Sequence, residues 1–148
     1  MVRTEYTDSP EMTSAEGKLL AEQIAASGAT QGFIALYGDL GVGKTEFVRG
    51  FVSVLSPGSR VKSPSYTIVN EYLHGTVPVY HFDFYRIGDI SELDGIGFDE
   101  YLAGGICIAE WCERLGDRLP PNSITVHIEK RGEHGRCITA EYPDSEDI

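Results

Sequence analysis

Gly38-Asp39-Leu40-Gly41-Val42-Gly43-Lys44-Thr45 is the stretch whose reading decides the fold. It fits the pattern G-x-x-x-x-G-K-[ST] without a mismatch, and each defining position has a physical purpose. Gly38, Gly41 and Gly43 let the backbone turn its amides toward one concavity, where a helix N-terminus would add the positive end of its dipole. Lys44 is placed to span the β- and γ-phosphates of a nucleotide, and the Thr45 hydroxyl to bind magnesium. Asp39, Leu40 and Val42 complete the cradle as backbone contributors. The cradle ends at Thr45. A second threonine at position 46 does not apply, because the residue there is Glu46, which has no hydroxyl to offer a nucleotide or its metal.

The motif has this meaning only between a strand and a helix, and both are predicted. Phe33-Ile34-Ala35-Leu36-Tyr37 reads as a short buried strand, and Phe47, Val48, Phe51, Val52 and Leu55 recur at helical spacing until Pro57-Gly58 ends the segment. Further upstream, Thr13-Ser14-Ala15-Glu16 has capping-box spacing, so a helix is expected from there, with Leu20, Ala21, Ile24 and Ala25 on one face and Gly28 as its stop. Residues 1–10 show no pattern and are expected to be disordered.

Downstream, a proline-stiffened polar segment around Pro64 leads into strand-like residues 67–72, and a turn near His74-Gly75 leads to a second strand at 77–84. Those two strands suggest a hairpin. Residues 89–102 read as a partly helical excursion, with Ser91 and Asp99 as candidate caps. Ile106-Cys107-Ile108-Ala109 is a buried-strand run ending at Glu110, and two final strands are expected at 124–129 and 137–142. The predicted fold class is therefore α/β: a P-loop NTPase-like, three-layer arrangement with helices on both faces of a sheet that mixes parallel and antiparallel strands. The 148 residues are the size of one domain.

Composition narrows the function classes. Hydrophobic residues are 41% and charged residues 24%, ordinary for a soluble protein, and no apolar run reaches the length of a bilayer span. The N-terminal residues lack the apolar core of a signal peptide, so a cytoplasmic location without membrane attachment is expected. The formal charge of −11 repels a phosphate backbone, so unaided binding to RNA is expected to be weak. Cys107, Cys112 and Cys137 form no CxxC pair, and Cys107 is expected to pack as a small hydrophobe. His74, His81, His127 and His134 show no metal-ligand spacing and are assigned to strand packing or the surface.

A phosphate-bound magnesium needs a carboxylate, usually from the C-terminal end of a strand. Asp83, after Val79-Tyr80-His81-Phe82, and Glu110 are the two candidates, and the sequence does not choose between them. Ser63, Ser65 and Thr67 around Pro64 could offer hydroxyls to the γ-phosphate, while Trp111 beside Glu110 reads by default as a core anchor, with a lid over the site as the alternative. Rival functions share the loop. A small-molecule kinase usually carries an arginine-rich lid, and no arginine cluster follows the first helix; a GTPase reads guanine with an Asn-Lys-x-Asp segment, and none occurs. A nucleotide-sensing binding module without turnover is the third alternative.

The segments YGDLGVGKT, KSPSYTIVNEY, VYHFDFYR and IAEWCERL, in this order and spacing, closely resemble the bacterial TsaE (YjeE) ATPase family of tRNA threonylcarbamoyladenosine biosynthesis, from about Thr13 to Ile138. The resemblance implies an ATPase using ATP and Mg2+, weak alone and stimulated by two partners, the threonylcarbamoyl-transferase subunit and its inactive paralogue. It implies Thr45 and Glu110 as magnesium ligands, Asp83 as an active-site acid, and Thr13 and Arg136 as nucleotide contacts. Lys44, Asp83 and Glu110 are thus the expected catalytic set. The chain departs from the family pattern at Ser65, where threonine is common, and at Cys112, where proline is common; the second change frees a backbone amide.

Overall fold

The computed structural model describes residues 1–39 and 41–143, so Leu40 of the expected cradle lies outside the described residues. Along the chain the elements are β1 (Val2–Thr7), α1 (Pro10–Ser27), β2 (Gly32–Tyr37), α2 (Lys44–Leu55), β3 (Val69–Tyr72), β4 (Val79–Asp83), α3 (Glu92–Gly95), α4 (Phe98–Gly104), β5 (Ile106–Glu110), a 3₁₀ segment (Cys112–Arg118), β6 (Ile124–Arg131) and β7 (Gly135–Glu141). The strands form one sheet in the order β1-β7-β6-β2-β5-β4-β3. Its centre, β6-β2-β5-β4, is parallel, while β7 and β1 on one side and β3 on the other run antiparallel to their neighbours. The expected mixed sheet and the β3–β4 hairpin are both present.

Alternation along β2 divides the core into two layers, because successive strand residues point to opposite faces. Ile34 and Leu36 pack with Ile106, Ile108 and Val79 against α1 and α2 through Leu20, Phe47, Phe51 and Val52. Phe33 and Ala35 face the other way, onto Phe82, Phe84, Leu93 and Phe98. There Phe98 stands edge-on to Phe33, Phe82 and Phe84, an arrangement aromatic quadrupoles favour. Cys107 belongs to this layer, and burial pushes its thiol up to about 12.

The helices α1 and α2 approach so closely that a Cβ on Gly50 would lie 1.8 Å from the Ser14 carbonyl oxygen, and one on Gly17 would lie 2.0 Å from that of Phe47. Glycine is required at this crossing. It brings the start of α1 against the start of α2, and so fixes what lies beneath the glycine loop.

Four local expectations are corrected. The first residues are not without structure: β1 pairs along its length with β7, and the Tyr142 amide donates to the Met1 carbonyl. The cap of α1 is Ser9, whose hydroxyl accepts from the Met12 amide, with Pro10 fitting the first helical position where no N–H is needed. Thr13 sits inside the helix, where its hydroxyl bonds that of Thr7. At α4 the cap is Gly97, not Asp99, with left-handed backbone at φ 76°. The start of β3 also falls later than expected, since the Ile68 amide donates to the Pro64 carbonyl and closes a turn first.

Candidate functional site

The glycine loop leaves the C-terminal end of β2 and enters α2 directly. Gly43 caps that helix with φ 115°, a conformation side-chain-bearing residues rarely adopt. A Cβ on Gly38 would come within 2.7 Å of both the Ile128 carbonyl oxygen and Val42 Cγ1, so the first loop position is held to glycine by contact. Between the loop and β6 runs a cleft of about 440 Å³ lined by Gly38, Asp39, Val42, Ile128, Glu129 and Lys130.

Two expected contributors from the chain ends support the loop from behind. Thr13 is buried beneath it, with its methyl carbon 3.5 Å from where a Gly43 Cβ would stand. Arg136 donates from Nε to the Val42 carbonyl at 2.7 Å and from Nη1 to the Gly135 carbonyl at 2.7 Å. Both residues therefore reach the loop, Arg136 by a side-chain hydrogen bond to the Val42 carbonyl.

The two acids come together as register partners. Asp83 ends β4, Glu110 ends β5, and they are paired directly across the two parallel strands, with each residue 7% exposed. Lys44, only 6% exposed at the start of α2, holds its Nζ 3.9 Å from Glu110 Oε1 and 5.0 Å from the centroid of the Trp111 ring. Thr45 is half-buried in the same helical turn. Position 46 is glutamate and not threonine, so Thr45 is the last hydroxyl of the cradle. Glu46, half-buried in the first turn of α2, accepts from the Arg49 guanidinium one turn along the helix. That ion pair engages its carboxylate along the helix. Asp83 is engaged locally: Oδ1 accepts from the Tyr85 amide at 2.9 Å and Oδ2 from the Ser65 hydroxyl at 3.3 Å.

The serine segment thus touches the site through Ser65, which also shares a 2.7 Å hydrogen bond with Ser63. Thr67 instead donates to Asn70. Next to Ser65, Tyr66 projects 82% exposed, with the Arg86 guanidinium carbon 4.4 Å from its ring centroid. The segment closes on Ile68 at φ 69°, whose carbonyl accepts from the Asp83 amide. A β-branched residue is strained there, as is Trp111 at φ 59°, and such backbone strain concentrates where geometry is used.

Trp111 packs on the edge of the second core layer, as the core-anchor expectation has it, and also reaches the site. It is partly exposed, its ring lies near Lys44, and Tyr85 packs on it at 4.9 Å between centroids. Its left-handed backbone turns it away from the strand line, and Cys112 then starts the 3₁₀ segment with its thiol directed to the Ala109 carbonyl. His81 is the residue that motif reasoning passes over. It is fully buried in β4, with Nε2 2.7 Å from Glu110 Oε2. The signal is available in the spacing: His81 and Asp83 are two apart, hence on one face of a strand.

A strand, a glycine loop capping a helix, a lysine at that helix start and two carboxylates on neighbouring strand ends define a P-loop-like α/β protein. A family model described as "Threonylcarbamoyl adenosine biosynthesis protein TsaE" matches residues 7–138. The tRNA threonylcarbamoyladenosine biosynthesis protein TsaE of Bacillus subtilis (strain 168) is 40% identical over 125 residues, 84% of this chain and 78% of that protein. The protein of the same name from Treponema pallidum (strain Nichols) is 35% identical over 107 residues, 72% of this chain and 78% of its own. The crystal structure of Bacillus subtilis YdiB matches with a TM-score of 0.81 at 33% identity, covering 99% of this chain and 88% of that one. The chain belongs to the TsaE family.

Proposed function

We propose that this protein binds and hydrolyses magnesium-ATP to support tRNA threonylcarbamoyladenosine biosynthesis, acting with the threonylcarbamoyl-transferase subunit and its inactive paralogue. The observation that carries the reading is the juxtaposition of Lys44 with two in-register carboxylates, Asp83 and Glu110, at the mouth of a glycine loop.

The residues present fit both groups. Phosphates suit the loop because the N-terminus of α2, a helix of 12 residues, opens there without an acidic side chain between Gly41 and Thr45. Magnesium suits hard oxygen donors, and Thr45 and Glu110 supply a hydroxyl and a carboxylate, with the Asp83 carboxylate beside them as the register partner of Glu110. A cation is already favoured at this place, since the Lys44 ammonium rests beside Glu110.

In this reading Lys44 leaves Glu110 for the β- and γ-phosphates. Thr45 and Glu110 would hold the metal, and Asp83, already tied to Ser65 and the Tyr85 amide, would orient the attacking water. Bound magnesium would neutralise charge developing on the phosphate oxygens. The residues 63–67 then sense the γ-phosphate through Ser65, and the partners complete the site in trans. tRNA is met through the partners, consistent with the charge of −11. No helix among the described residues is long and apolar enough to cross a membrane.

The test is steady-state phosphate release for the chain alone, the partner subunits alone and the mixture, with Lys44→Ala as control. Slow release alone and acceleration by the partners are expected. A fast, partner-independent rate would contradict the proposal, and phosphate found on a small-molecule acceptor would replace it with a kinase.

A further inference from the structure

His81 is fully buried on β4, and its imidazole makes one polar contact: Nε2 to Glu110 Oε2 at 2.7 Å. The other ring nitrogen, Nδ1, is buried without a hydrogen-bond partner. Buried polar atoms are nearly always paired, because an unpaired one forfeits its hydration without return. A leucine would fill this position without that penalty. What the imidazole supplies, and leucine would not, is the bond to Glu110.

Glu110 is pulled in two directions. Oε2 accepts from His81, while Oε1 points toward the Lys44 ammonium at 3.9 Å, too long for a hydrogen bond. The short contact, not the long one, therefore sets the orientation of the carboxylate. It also comes from a rigid source: His81 lies in a parallel strand opposite Ile108, two residues from Glu110 on the adjoining β5. When Lys44 turns to a phosphate, Oε1 loses its neighbour but Oε2 keeps its anchor.

We propose that His81 is a positioning residue, which fixes the Glu110 carboxylate with Oε1 presented to the glycine loop and so prepares it to receive a divalent cation. This rests on the reading of Glu110 as a magnesium ligand. The one side-chain hydrogen bond of His81 goes to Glu110, and it acts through that carboxylate. Outer partners of metal ligands typically change metal affinity by about 10- to 100-fold when removed.

The experiment uses the full chain and reads Mn2+ binding to its ADP complex by electron paramagnetic resonance, ADP binding in chelator by calorimetry, and thermal unfolding. His81→Leu removes the donor and is expected to weaken Mn2+ binding by about 10- to 100-fold while leaving metal-free ADP affinity unchanged. His81→Gln carries an amide N–H near the position of Nε2 and is expected to restore most of the metal affinity. His81→Asn, whose amide stops short of that position, serves in place of the leucine variant if that one does not fold. Parent-like Mn2+ binding in the leucine or asparagine variant overturns the inference, as does failure of glutamine to rescue, or an equal loss of metal-free ADP binding. Glu110→Gln is measured beside them. If it too binds Mn2+ like the parent, the assignment of Glu110 as ligand falls, and the role of His81 falls with it. If it loses Mn2+ while the His81 variants do not, only the role of His81 is refuted.

Discussion

Replacing Lys44 with alanine should have two effects of opposite sign, and the geometry gives their scale. In the structure the ammonium is shared between a long ion pair with Glu110, at 3.9 Å, and the face of Trp111, at 5.0 Å. Charge-assisted hydrogen bonds are worth about 1.5–3 kcal/mol each, and a lysine between two phosphates can make two of them. Against that gain stands the release of Trp111, about 1–2 kcal/mol for a desolvated cation–π contact, and of an ion pair too long to be strong. The balance leaves roughly 1.5–4 kcal/mol in favour of nucleotide, so Lys44→Ala should weaken ATP binding by about ten- to a thousandfold. The same variant removes the cation that competes for Glu110, so Mn2+ without nucleotide should bind it more tightly than it binds the parent. Calorimetry with ATP in chelator and with Mn2+ alone reads both quantities, and thermal unfolding verifies that the variant is folded. Unchanged ATP affinity would refute the phosphate-loop assignment. Weakened ATP binding with weakened Mn2+ binding would refute the view that Lys44 rests in the place of the metal.

Glu110→Gln keeps the shape of the side chain and removes its charge, so it should cut magnesium-dependent hydrolysis far more than metal-free ADP binding; equal effects on both would show a general loss of the site. Trp111 fluorescence should change when magnesium-ATP binds, because Lys44 leaves its ring, and a flat titration where calorimetry records binding would disprove that movement. Alkaline stability follows from Cys107, whose thiol is raised from 9.0 to about 12 by burial. The unfolded thiol ionises first, so this contribution is intact below pH 9 and is lost between pH 9 and about 12, at about 1.4 kcal/mol per pH unit. Thermal melts from pH 8 to 11 should show a shallower decline for Cys107→Ala than for the parent, and parallel declines would mean that the thiol does not couple to unfolding.

The parts of this molecule legible in the sequence are those whose physics is local. β2, the loop and α2 announce themselves because alternation, glycine placement and helical spacing are each satisfied within a few residues. Asp83 and Glu110 are legible as acids after apolar runs, but their pairing is not, since it depends on β4 and β5 lying side by side in register. β1 escapes a sequence reading because, apart from Val2 and Tyr6, its residues are polar or charged, and only pairing with β7, more than a hundred residues away, makes a strand of them. Thr13 has the spacing of a cap relative to Glu16, yet Ser9 followed by Pro10 is the stronger signal, and the Thr13 hydroxyl is needed by Thr7 beneath the loop. Residue type alone sends Trp111 and His81 to the core or the surface, the usual destinations of an indole and an imidazole. Both do pack into the core, and each also meets a site residue: a left-handed turn after the strand brings the indole over Lys44, and a neighbouring strand brings the imidazole to the Glu110 carboxylate. Chemistry built from single residues on separate strands leaves no periodicity to read, so the roles of Trp111 and His81 follow only once the strand register is known.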